Sequence, residues 1–157
     1  AGRAKPSPEY LLQAALEQDF PSVNPLVDAV NLASLESLYP MSIFDLEKAG
    51  TRLLLRRGRT GESYVFNPCG QTIDLEDLLC VCSLKESEAD GRPIVNPVRD
   101  SMATKLFPGA SHAVVVVYAP HGTEGRDLEA VLARMATWYA CAVDTIEQAV
   151  FEPDATS

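Results

Sequence analysis

A chain of 157 residues, 46% of them hydrophobic and 22% charged, is long enough for one domain with a sizeable core. Its formal net charge of −9 opposes any broad electrostatic grip on a polyanion, so RNA would need a local basic patch and DNA is not an expected partner. No apolar run reaches the roughly 18–20 residues that span a bilayer, so no membrane is expected as a partner either.

The start, A-G-R-A-K-P-S-P, has neither a methionine nor the apolar centre of a signal peptide, and reads as that of a chain cut from a longer one. Pro8 to Gln18 reads as a short amphipathic helix with Ser7 as its N-cap. A second helix opens at Asn24 and Pro25 and stops before Pro40, with Leu26, Val27, Val30, Ala33 and Leu38 on one face. The opposite face carries Leu32 and Leu35, and a helix apolar nearly all round is expected to be buried. Asp28 and Asn31 sit among these residues. They either tie down neighbouring loop backbone or line a cleft and meet a ligand.

After Pro40 the apolar run continues with Ser42 and Asp45 embedded in it, and Gly50 closes the turn that follows. Thr51–Arg57 and Ser63–Asn67 flank G-R-T-G-E and read as a hairpin. Arg52, Arg56, Arg57 and Arg59 are the one basic cluster, serving either as charge that keeps a hairpin solvated or as contacts to RNA phosphates. Alternation puts Arg52 and Arg56 on one face of the strand and Arg57 and Arg59 on the other.

Asn67–Gly70 reads as a turn, Leu78–Ser83 as a strand and Lys85–Gly91 as a solvated loop. The four cysteines lack metal-type spacing, so no metal or other cofactor is expected, and they read as buried reduced thiols of a cytoplasmic protein. His112–Ala119 reads as a strand buried on both faces, and Gly125–Tyr139 as an amphipathic helix. Asp144–Phe151 continues the helical pattern, and the last six residues are expected to fray.

V-D-A-V-N-L-A-S-L-E followed by P-M-S-I-F-D-L-E-K resembles the B-three/B-four domain of the phenylalanyl-tRNA synthetase beta subunit, and the likeness extends more weakly from about Val23 to Pro120. The resemblance implies an α+β fold of mixed, twisted, sandwich-like sheets flanked by helices, with one buried central helix. It divides the chain into an N-terminal helix extension (1–20), a core (21–122) and a C-terminal helical extension (123–157), the whole forming one compact domain. It also implies recognition of an aminoacyl-tRNA 3′ end, with trans-editing hydrolysis of a mischarged ester as the catalytic form. A non-catalytic RNA-, amino-acid- or protein-binding module is the alternative. Aminoacylation is not implied, because that activity belongs to the partner subunit in the family.

Two departures bear on catalysis. Bacterial editing domains carry His where Ser42 stands and Glu near Val116. In compensation, Arg99, Asp100, Ser101, Thr104 and Lys105, which replace a bacterial Gly-Gly segment, are similar to the R-D-S-x-x-T-K pattern of archaeal and free-standing versions. These five are the candidate catalytic residues, with Asp28, Asn31, Ser42 and Asp45 as candidate substrate contacts. Their own chemistry leaves open a loop stapled by its Asp, Ser and Thr side chains.

Overall fold

The computed structural model describes residues 5–85 and 89–151; part of the expected 85–91 loop and the last six residues lie outside them. Among the described residues there are four α-helices and seven strands, in an α+β order. They are α1 (Ser7–Leu16), α2 (Pro25–Ser37), β1 (Met41–Asp45), α3 (Leu46–Ala49), β2 (Leu53–Arg57), β3 (Ser63–Val65), β4 (Thr72–Asp74), β5 (Leu79–Ser83), β6 (Arg92–Val95), β7 (Ala113–Val117) and α4 (Gly125–Tyr139), with a 3₁₀ turn at Met102–Thr104.

The β1–β7 ribbon is the middle layer. Its register sets Met41 opposite Val117 and Ser42 opposite Val116. Side chains alternate across a strand, so the two faces serve different cores. Met41, Ile43, Val115 and Val117 pack with Val30 and Ala33 of α2 and Met135 of α4. Phe44, Val114, Val116 and Tyr118 pack with Val81, Ile94 and Val95 of β5 and β6. The valine run thus meets apolar matter on both faces, but it pairs with β1 alone and stays half-buried rather than fully buried.

Asn24 caps α2 as its sequence suggests, its Oδ1 accepting from the N–H groups of Leu26 and Val27 at 3.1 and 3.0 Å. Leu38 ends the helix in the left-handed region at φ 62°, ahead of Pro40. Burial of α2 is one-sided: Val30, Ala33 and Ser34 are buried, whereas Leu32 and Leu38 lie on the exposed side. Leu38 therefore leaves the apolar face on which helical spacing put it. Ser7 does not cap α1. Pro6 occupies that position, and the Ser7 hydroxyl accepts instead from the Met41 N–H at 3.4 Å, joining α1 to β1.

The expected hairpin across G-R-T-G-E does not form. β2 pairs with β5, which pairs in turn with β6, while β3 pairs with β4. Gly58 diverts the chain, since its N–H bonds the Leu78 carbonyl at 2.8 Å and a Cβ there would stand 1.9 Å from the Leu75 carbonyl oxygen. Burial of Cys80 and Cys82 against Tyr64 and Leu75 rewards the longer-range pairing. Cys69 and Cys141, expected to be buried, are exposed. Beyond Tyr139 the chain turns and loses helical form, so the helical pattern of 144–151 is not realised. Ile146, Val150 and Phe151 stay exposed there, without the packing that stabilises most protein helices.

Both oxygens of Asp28 are occupied by the loop ahead of α2: the Val23 N–H donates at 2.7 Å and the Ser22 hydroxyl at 3.1 Å. Replacing Asn24 or Asp28 by Ala is expected to lower stability by about 1 kcal/mol each. Urea unfolding checks this. Unchanged midpoints for both variants would mean that these bonds do not hold the helix start.

Candidate functional site

The polar centre of the molecule lies where β1 meets the segment following β6. Ser42 faces away from the helices and is 1% exposed, so its hydroxyl must bond within the protein. Its Oγ lies 2.6 Å from Asp100 Oδ1, 3.1 Å from the Tyr118 hydroxyl and 3.2 Å from the Asn96 carbonyl oxygen. The Ile43 N–H donates to the other carboxylate oxygen, Oδ2, at 3.3 Å.

Asn96 holds this segment in shape. Its Oδ1 accepts from the N–H groups of Val98 and Arg99 at 2.7 and 2.9 Å. Its amide Nδ2 donates to the Tyr64 hydroxyl at 2.6 Å, and that hydroxyl donates onward to the Arg99 carbonyl. Asn96 and Ser42 are both 1% exposed and Tyr64 and Tyr118 both 8%, so the network is shielded from water.

Asp100 as a residue keeps some accessible surface, yet its carboxyl is surrounded by protein. Burial pushes this carboxyl up to about 7, against the opposing pull of the Ser42 hydroxyl, the Ile43 N–H and the charge on Lys105. Burial, and next the negative charge of Asp100, also raise the phenols of Tyr64 and Tyr118. Tyr118 therefore retains a proton to donate to Ser42. When Asp100 is ionised, the single Ser42 proton points to its carboxylate. When Asp100 is neutral, the acid can donate to Ser42 and release that proton to the Asn96 carbonyl. One titration reverses the chain of donors.

Of the five candidates between Arg99 and Lys105, Ser101 serves the loop itself, and Lys105 ties it to the segment after β3. The Ser101 hydroxyl accepts from the Ala103 N–H at 3.1 Å, and the Ser101 N–H donates to the Ile94 carbonyl. The Lys105 ammonium donates to the Phe66 carbonyl at 3.1 Å. The Arg99 guanidinium stacks between the rings of Phe66 and Tyr10, 4.8 and 5.4 Å from their centroids. Thr104 is buried, and its hydroxyl has no partner among the described residues. Asp100 alone of the five bonds directly to Ser42.

The other expected contacts disperse. Asp28 binds the loop before α2, and Asn31 lies half-buried on α2, outside the hydrogen-bonded cluster. Asp45 caps α3, accepting from the N–H groups of Glu47 and Lys48 at 2.9 and 3.4 Å.

The arginines do not make one patch. Arg56 spends all five donors within the protein: two on Glu62, at 2.8 and 2.6 Å, and three on the carbonyls of Arg57, Asp90 and Gly91. Glu62 is thereby held below the usual carboxylate range. Arg57 donates to the Asp77 carbonyl and Arg59 pairs with Asp90 at 2.9 Å, while Arg52 stands exposed. Arg56 has nothing left for an RNA phosphate.

A groove of about 480 Å³ adjoins the network, lined by Tyr64, Val65, Arg92, Pro93, Ser101 and Met102 among others. Tyr64 belongs to both. Tyr64, Asn96 and Tyr118 escape a motif-based reading, although each shows a usable signal: a polar group in an apolar run or a turn residue before proline. Ser42 and Val116, where bacterial relatives are expected to carry His and Glu, are direct cross-strand partners.

The chain belongs to the B3/4 domain family, whose model matches residues 2–121. Over 76 residues, 48% of this chain, it is 33% identical to the phenylalanine–tRNA ligase beta subunit of Bradyrhizobium diazoefficiens. It is 32% identical over an equal length to that of Rhodopseudomonas palustris. The match spans 9% of each of those subunits. Among the described residues no helix is long and apolar enough to cross a membrane.

The raised Asp100 carboxyl has a consequence for stability. The folded chain holds a proton that the unfolded chain releases, so this group's contribution is whole below the ordinary value of 3.8 and is lost as pH rises towards about 7. Asp100→Asn imitates the protonated acid. Relative to this variant, the wild-type protein is expected to lose stability between pH 4 and 7. Urea midpoints across that range check it, and parallel curves for the two proteins would contradict it.

Proposed function

We propose that this domain recognises the aminoacylated 3′ end of a tRNA and hydrolyses an ester carrying the wrong amino acid. The observation that carries the reading is Asp100: a buried carboxyl, bonded to Ser42, whose proton affinity lies near neutrality. A general base works best when its pKa is close to the operating pH. An aminoacyl ester is already labile, so orienting a water and removing its proton can suffice.

In this reading the aminoacyl group occupies the groove beside Tyr64, whose size falls within the usual range for small-molecule sites. Neither Asp100 nor Ser42 lines that groove, so hydrolysis requires the segment after β6 to open and admit the attacking water to the Asp100 carboxylate. The carboxylate takes a proton from this water as the water oxygen adds to the ester carbonyl. The carbonyl then reforms, the bond to the ribose oxygen breaks, and the departing oxygen receives that proton. Kinship with synthetase beta subunits supports the choice of an aminoacyl-tRNA as substrate.

Recognition without hydrolysis is the second reading. Both carboxylate oxygens of Asp100 are already engaged, and the Ser42–Val116 pair lacks the His and Glu expected of bacterial editing domains.

A panel of mischarged tRNAs separates the readings. Hydrolysis requires deacylation above the spontaneous rate for at least one member, reduced 100-fold or more by Asp100→Asn while tRNA binding persists. Binding without acceleration of any ester would reject hydrolysis and leave recognition. Absence of both would reject the assignment.

A further inference from the structure

On the side of the molecule formed by α3 and the Met102–Thr104 turn, a second and smaller pocket of about 60 Å³ gathers Lys48, Lys85 and Arg92 around Thr104. We infer that this pocket binds a phosphate group. Three cationic residues line it in a chain whose net charge is −9. Thr104 lines the same pocket, and its hydroxyl is buried and has no hydrogen-bond partner among the described residues. A phosphate oxygen supplies the missing acceptor, and the cations supply charge-assisted donors.

The cations are held in place by the fold. Lys85 is fixed at three points. Its N–H donates to the Ser83 hydroxyl at 3.2 Å, its aliphatic stem lies over Gly50, and its ammonium donates to the Glu47 carbonyl. A Cβ on Gly50 would stand 3.1 Å from that of Lys85, and Gly50 sits at φ 78°, so a side chain there would be both strained and crowded against the stem. Lys48 is anchored by the Lys105 carbonyl at 2.7 Å, by the Phe107 ring and by Asp45 at 3.6 Å. An ammonium has three donors, so Lys85 keeps protons for a ligand after this anchoring. Arg92 reaches the pocket from β6, where it pairs across the ladder with Ser83.

Among the described residues Asp45 pairs with one of these cations, Lys48, at 3.6 Å, which limits the attraction without filling the pocket. A space this small suits one oxyanion rather than a nucleoside. The phosphate is either a free or terminal group, or one within a nucleic-acid backbone. The pocket adjoins the groove beside Tyr64, because Arg92 and Ala103 line both, but Lys85 and Thr104 line the smaller pocket alone and carry the test.

Inorganic phosphate is the probe, titrated into the protein at constant ionic strength against chloride and followed by calorimetry. Saturable binding is expected, weakened about tenfold by Lys85→Ala and several-fold by Thr104→Val, with Thr104→Ser restoring it. Urea unfolding of each variant separates lost binding from lost fold. No saturable binding by the wild-type protein, or equal affinity in folded Lys85→Ala and Thr104→Val, overturns the inference. A short oligoribonucleotide without terminal phosphates distinguishes the sources. Competition with phosphate assigns the pocket to a nucleic-acid backbone, and its absence to a free or terminal phosphate.

Discussion

The hydrogen bond between Ser42 and Asp100 joins two segments 58 positions apart, and the polar centre of the domain is arranged around it. A carboxyl group at this position has lost most of its water, which raises its affinity for a proton. What keeps it there is a shell in which each group has a defined partner. Asn96 shapes the segment that carries Asp100, Tyr64 ties Asn96 to the Arg99 carbonyl, and Tyr118 supports Ser42 from β7. Such a network is stable only if nearly complete, because a buried polar group left alone costs roughly 1–3 kcal/mol.

The surrounding cores explain why the network can exist. Alternation along β1 sends Met41 and Ile43 to the helices, and Ser42 and Phe44 to the other side. Phe44, fully buried, packs with Val95 immediately before Asn96, so apolar packing fixes the spacing across which the polar contacts must close. The packing of β7 on β1 brings Tyr118 to Ser42 by the same means, with the Tyr118 N–H bonded to the Pro40 carbonyl. Stability and chemistry thus share one strand.

Local rules were legible in the sequence where local forces decide. The cap at Asn24, the stop before Pro40, the strand at the valine run and the amphipathic helix α4 all emerged as their patterns indicate. The β2–β3 hairpin failed because a turn signal was outweighed by burial of Cys80 and Cys82, a long-range gain that no short window displays. The helical pattern of 144–151 failed for want of a surface to pack on. At the candidate site, the R-D-S-x-x-T-K segment led to Asp100, and the P-M-S-I-F-D block led to Ser42. Their contact, and the roles of Tyr64, Asn96 and Tyr118, depend on residues up to 76 positions apart. Alternation along a strand says nothing of carbonyls from another loop, and those carbonyls take donors of Arg56.

Proton affinity at Asp100 is the property on which the account turns, and it can be read at the atom itself. With the aspartate side-chain carboxyls labelled with carbon-13 and Asp100 assigned through the Asp100→Asn spectrum, an NMR pH titration follows this group alone. The account predicts a midpoint near 7, well above the ordinary 3.8. A midpoint near 4 would show the carboxyl to be solvated and freely ionised, and would contradict both the buried network and the base assigned to it.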